Sequence, residues 1–187
     1  IVNNVPGSGI VYVRTREKTE TVAKFLQENG IEADSYHGGM GYLTRSLKQE
    51  NWTGGKTRVI VATNAFGMGI DKADVRFVIH YDICDSLEAY YQEAGRAGRD
   101  GRPAYAVMLL SGDDPSRVAN RLRLEFPPVD TIRTIYEGLF NYLQVAIGEG
   151  KHRAFAFNIH EFAARMKLFP PTVVNALKIL QQNGYLI

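Results

Sequence analysis

The chain is short of cysteine and of long apolar runs, and each shortage excludes a class of protein. Its single cysteine, Cys84, permits no intramolecular disulfide and no zinc site built on several thiolates, so the expected compartment is a reducing cytoplasm. Apolar stretches such as Val59–Ala62 fall far below the ~20 residues that a membrane-spanning helix needs. Charge of one sign is also lacking. The formal net charge is +2, balanced up to Gly112 with the whole excess beyond it, which is too mild to imply nucleic acid by attraction alone. The opening residues Ile1 to Gly9 carry neither an initiator Met nor the basic-then-apolar order of a signal peptide, and read as a cut from a longer polypeptide. What is present is 187 residues, 45% hydrophobic and 11% aromatic. That is enough for one medium domain plus a small one.

The first part alternates short β-branched runs with helical spacing. Strands are expected at residues 9–13, 33–36, 58–62, 76–80 and 104–110, with helices around Val22 to Leu26, from Tyr42 to Trp52 and from Ser86 to Ala94. Repeated β-α alternation implies an α/β fold, a mainly parallel sheet with helices on both faces. After Ser111 to Pro115 the pattern turns helical, at residues 115–124 and 129–147, and the domain boundary is placed near residue 112. A short strand at 155–157, two helices at 159–167 and 171–183 across a tight turn, and a Gly-started closing strand make the order of a small winged helix-turn-helix domain. The expected division is therefore 1–112, a helical connector at 113–150, and a module at 151–187.

Three segments carry chemistry. In Gln92 to Gly101, Arg96 and Arg99 stand three apart and project from one side if the helical turn persists. Two fixed guanidinium groups suit a phosphate chain, and Gly95 and Gly98 leave room for close approach. The same residues also suit a basic helix end stabilised by the macrodipole. In Val61 to Lys72, a loop leaving the carboxyl end of a buried strand, Thr63 and Asn64 offer short hydrogen-bonding groups. Gly67 and Gly69 let backbone amides approach a phosphate, and Asp71 is an acceptor for a ribose or an Arg. A structural loop with two turn glycines looks similar. Asp34 to Met40 places His37 at another strand end, either against a phosphate or as a satisfied structural group. Trp52 continues the apolar face of its helix and is read as core.

Taken in order, these segments resemble the second RecA-like motor domain of superfamily 2 helicases, the RecQ DNA helicases most closely. Residues 9–16 are similar to motif IV and Tyr36-His37-Gly38-Gly39-Met40 to the YHAGL element. Ala62 to Lys72 is similar to motif V and Gln92 to Gly101 to motif VI. The resemblance implies a P-loop NTPase type of fold. It implies that Arg99, with Arg96 beside it, is the arginine finger reaching an ATP γ-phosphate held on another domain. Gln92, Gly95, Asp71 and Gly69 would line the nucleotide cleft, and His37, Thr63 and Asn64 would track a DNA backbone. Gln92-Glu93 stands where the related RNA helicases usually carry His-Arg. No G-x-x-x-x-G-K-[ST] phosphate loop and no acidic Mg²⁺ box occurs, so ATP and Mg²⁺ are expected to be held mainly by an N-terminal RecA-like domain of the same chain, without which this part is inactive. No cysteine follows Cys84, so the four-cysteine zinc module of many RecQ proteins is absent and no metal ligand is assigned.

In the tail, Thr172, Asn175 and Lys178 are left for the outer side of the second helix, positioned for a duplex junction or for docking onto protein. The expected whole is a monomeric, membrane-free, ATP-dependent 3′ to 5′ DNA helicase of repair and recombination, its polarity taken from the family. An RNA-remodelling ATPase and a nucleotide-sensing helix-turn-helix regulator are the competing readings.

Overall fold

The computed structural model describes residues 1–187 apart from 68–69, 147–148, 151 and 187. The chain divides into two compact units, Ile1–Ser111 and Gly112–Ile187.

In the first unit five strands, β1 (Ser8–Tyr12), β2 (Ala33–Tyr36), β3 (Val59–Ala62), β4 (Val75–His80) and β5 (Tyr105–Met108), form one sheet in the order β2-β3-β1-β4-β5. Every pairing is parallel. Parallel neighbours need crossovers, and helices α1 (Arg16–Glu28), α2 (Tyr42–Thr53) and α3 (Leu87–Ala94) supply three of them. Because side chains alternate across a strand, successive residues of one run feed opposite cores. Ile10 and Tyr12 join Trp52, Ile60, Phe66 and Val78 on one face, while Val11 joins Ala23, Leu26, Val61, Phe77 and Ile79 on the other. Helices therefore cover both faces, as the β-α alternation implies. Gly9 is required by packing: a Cβ there would lie 2.0 Å from the Phe77 ring. Local chemistry sets the helix starts, with Thr15 accepting from the Lys18 N–H and Ser86 from the Ala89 N–H.

The second unit is helical: α4 (Asp114–Glu125), α5 (Val129–Leu143), α6 (Ile159–Met166) and α7 (Pro170–Gln182). Ile135, Leu139, Phe162, Ala163, Val173 and Ala176 form its core. Two expectations are corrected here. The helix expected to reach Ile147 stops at Leu143, where Gln144 turns left-handed with φ 56°. The winged arrangement is not evident, because among the described residues no strand follows Met108. A strand needs a neighbour to complete its ladder, and residues 155–157 have none. Their side chains serve ring packing, Phe157 lying 5.7 Å from Tyr142 and 5.3 Å from Phe162. Among the described residues no helix is long and apolar enough to cross a membrane.

Candidate functional site

The loop that leaves β3 and returns to the start of β4 is the centre of the site. Phe66 anchors it, 1% exposed and edge-to-face with Tyr36 at 4.7 Å and Trp52 at 5.2 Å. Its backbone is then gripped twice: the Tyr12 hydroxyl donates to the Phe66 carbonyl at 3.1 Å, and Arg96 Nη1 donates to the Gly67 carbonyl at 2.8 Å. Burial raises the Tyr12 phenol well above its ordinary range despite the nearby Arg96 charge, so it remains a donor at physiological pH. A side chain on Gly67 would collide with the Arg96 guanidinium at 2.3 Å. This close approach is the reason for glycine there.

Arg96 and Arg99 are thus separated in role. Helix α3 ends at Ala94, with Gly95 as its cap, so the two arginines do not continue a helical face. Arg96 turns inward onto the loop. Arg99 Nη1 reaches Asp71 Oδ1 at 3.1 Å, and their side chains remain 40% and 86% exposed. An exposed pair of this type is worth about 0.2–1 kcal/mol, little enough for Asp71 to be exchanged for an incoming phosphate. The segment is held against the sheet by Arg76, whose Nη2 lies 2.7 Å from each Asp100 oxygen, and by the Gly98 N–H on the Val75 carbonyl at 3.0 Å. Arg76 keeps the Asp100 carboxyl below its usual value, a contribution to stability that is present above the ordinary carboxylate range and lost as pH falls through the lowered value. Gln92 is exposed on α3, and Gly69 lies outside the described residues.

The carboxyl ends of the parallel strands gather the other residues. His37 is 9% exposed, and both ring nitrogens are engaged: Nδ1 accepts from the Gly39 N–H at 3.2 Å and Nε2 faces Glu20 Oε1 at 3.5 Å. It shapes its turn. Asn64 is exposed and Thr63 half-buried on the adjacent loop, whose Thr63 N–H bonds the Tyr36 carbonyl at 3.3 Å. In the second unit Asn175 is drawn inward, its amide donating to the Leu124 carbonyl at 2.9 Å, while Thr172 is half-buried and Lys178 exposed.

Sequence reasoning missed the brace beneath α3. His80, fully buried at the end of β4, stacks on Tyr12 at 5.7 Å, and its Nε2 lies 3.0 Å from Glu93 Oε2. The available signal was a histidine closing an otherwise apolar strand. Cys84 Sγ lies 3.7 Å from the same Glu93 oxygen. Burial, with the carboxylate beside it, pushes the thiol up to about 12. Since the thiolate is the nucleophile, iodoacetamide labelling of Cys84 in the folded protein at pH 8 is expected to run about a thousandfold slower than that of free cysteine. Timed mass spectrometry checks this, and labelling at the free-thiol rate would contradict the half-buried setting beside Glu93.

A parallel sheet in this order, with a clamped loop after its third strand and an arginine held at its edge, is the architecture of a helicase motor domain. The chain belongs to the helicase conserved C-terminal domain family, whose model matches residues 1–101. It is 49% identical over 141 residues to the RecQ-like DNA helicase blm-1 of Caenorhabditis elegans, covering 75% of this chain and 14% of that protein. To the ATP-dependent DNA helicase RecQ of Bacillus subtilis it is 46% identical over 114 residues, 61% of this chain and 19% of the other. The chain thus spans under a fifth of the length of these two relatives. Among solved structures, the Escherichia coli DEAD-box protein SrmB matches with 33% identity and a TM-score of 0.53, over 62% of this chain and 69% of that one. A DEAD box protein from Methanococcus jannaschii matches with 26% identity and a TM-score of 0.54, over 63% and 32%.

Proposed function

We propose that this chain is the second motor half of an ATP-dependent 3′ to 5′ DNA helicase of the RecQ type, acting in DNA repair and recombination. The observation that carries the reading is Arg99, exposed on a segment that Arg76 and the Gly98 N–H hold against the sheet, and weakly paired with Asp71 of the loop that Arg96, Tyr12 and Phe66 hold still. Such a group is fitted to meet a phosphate from across a gap. The sequence has no phosphate loop of its own, so ATP and Mg²⁺ would be held chiefly by an N-terminal motor domain of the same protein. Arg99 and Gln92 would complete that nucleotide site, and Arg96, Gly95, Asp71 and Gly69 would shape it. Thr63 and Asn64 would take a DNA backbone running over the strand ends, on a turn shaped by His37. Thr172 and Lys178 remain the duplex-facing side of the tail. Asn175 instead ties α7 to α4. The protein is proposed to act as a monomer in the cytoplasm.

Strand-displacement assays of the full-length protein on matched DNA and RNA duplexes test this. ATP-dependent opening of the DNA duplex is expected. A strong preference for an RNA strand would favour an RNA-remodelling ATPase, and micromolar ATP binding by residues 1–187 alone would favour a nucleotide-sensing regulator.

A further inference from the structure

At the N-terminus of α2 the chain exposes what a folded domain usually hides. Tyr42 is 75% exposed, Leu43 82% and Leu47 58%. Large apolar side chains standing together in water, rather than singly, mark a contact surface. Tyr42 follows directly on the His37–Gly41 turn, which lies beside the loop carrying Thr63 and Asn64: a Cβ on Gly38 would rest 3.6 Å from the Ala65 methyl. Two guanidinium groups bound this patch. The Arg16 guanidinium lies over Gly39, where an added Cβ would come within 2.7 Å of Nη1. Arg45 stands one helical turn after Tyr42, its Nε buried with no hydrogen-bond partner among the described residues. Neither arginine has a carboxylate partner among the described residues, whereas neighbouring Lys48 is neutralised by Asp34 and exposed Glu20 faces His37.

We infer that this face is a base-stacking surface for single-stranded DNA, with Tyr42 and Leu43 against a base and Arg16 and Arg45 on the flanking phosphates. An aromatic ring beside unpaired cations is the combination that binds single strands without reading sequence, since every base offers a π-face. The cations select the occupant: a bare apolar protein surface gains nothing from two unneutralised guanidinium groups, but a phosphate chain does. The inference rests on the strand-handling function proposed above and adds to it the residues that grip the bases.

The test uses the full-length protein and a fluorescein-labelled oligothymidine of about 20 nucleotides, with anisotropy followed across a salt series. Tyr42→Ala is expected to weaken binding roughly 5- to 100-fold, the loss of one base–aromatic stack, with the salt slope unchanged. Tyr42→Phe should restore affinity, because stacking does not need the hydroxyl. Arg16→Ala and Arg45→Ala should each reduce the slope by about 0.7, the value of one phosphate contact on a single strand. If Tyr42→Ala binds like the parent while Asn64→Ala is weakened, the α2 surface is not used and the inference falls, though the strand path stands. If neither variant alters binding, the strand path itself is wrong. If Tyr42→Ala leaves DNA binding intact but shifts the sedimentation coefficient, the face is a protein interface and the inference is overturned. Tyr42 and Arg16 are exposed and Arg45 is half-buried, so a melting temperature measured for each variant and unchanged from the parent certifies it as folded.

Discussion

Arg99→Ala in the complete enzyme is expected to abolish ATP turnover, by about 10³- to 10⁵-fold, while leaving ATP affinity nearly intact. The expectation follows from geometry. Among the described residues Arg99 supports no core and grips no backbone beyond a 3.3 Å contact from its Nε to the Gly95 carbonyl, and its one charged partner there is an 86% exposed carboxylate. Its removal is expected to leave the fold alone and, on the finger role proposed above, to delete only a charge that matters as negative charge redistributes over the transferring phosphoryl group. Single-turnover hydrolysis read beside an ATP titration checks this, and turnover at the parent rate in the variant refutes the finger assignment. Arg96→Ala should behave differently. Loss of its bond to the Gly67 carbonyl frees the loop that carries both Thr63 and Asp71, so strand affinity and turnover fall together. That contrast separates a group that meets the nucleotide from one that positions its surroundings.

Trp52→Ala is expected to cost the first unit about 3–5 kcal/mol, a large share of the roughly 5–15 kcal/mol that stabilises a typical domain. Trp52 is fully buried, packs edge-to-face on Phe66, and donates its indole N–H to the Gly9 carbonyl at 3.1 Å. Truncation opens a cavity under the sheet, removes the indole bond to the Gly9 carbonyl and takes away the wall against which Phe66 anchors the functional loop. Urea unfolding followed by circular dichroism measures the loss. A change below about 1 kcal/mol would mean that the core collapses around the gap and that Trp52 does not support the loop through Phe66. Trp52→Phe should recover most of the packing but not the bond to Gly9.

The relation between these residues was only partly legible along the chain. Strand runs such as Val59–Ala62 are apolar on both faces, and that alone announces a parallel sheet covered by helices. The glycine-rich loop and the arginine segment announce themselves by composition, and Trp52 by its place on an apolar helix face. Their pairing was not announced. Nothing in the spacing of Arg96 and Arg99 says that one turns inward to a carbonyl 29 residues earlier while the other stays in water. The same limit explains the tail. Its two short aromatic runs carry strand propensity, but propensity is local, and a strand exists only where another backbone arrives to share hydrogen bonds.

Period and composition thus determined the α/β class, the helical tail and the segments where chemistry is concentrated, because those depend on interactions within a few residues. Tertiary structure alone decided which arginine stays exposed, which polar groups are spent on bracing, and which aromatic faces are left open at α2. Those outcomes depend on contacts between residues tens of positions apart, whose geometry is set only once the sheet has ordered its strands.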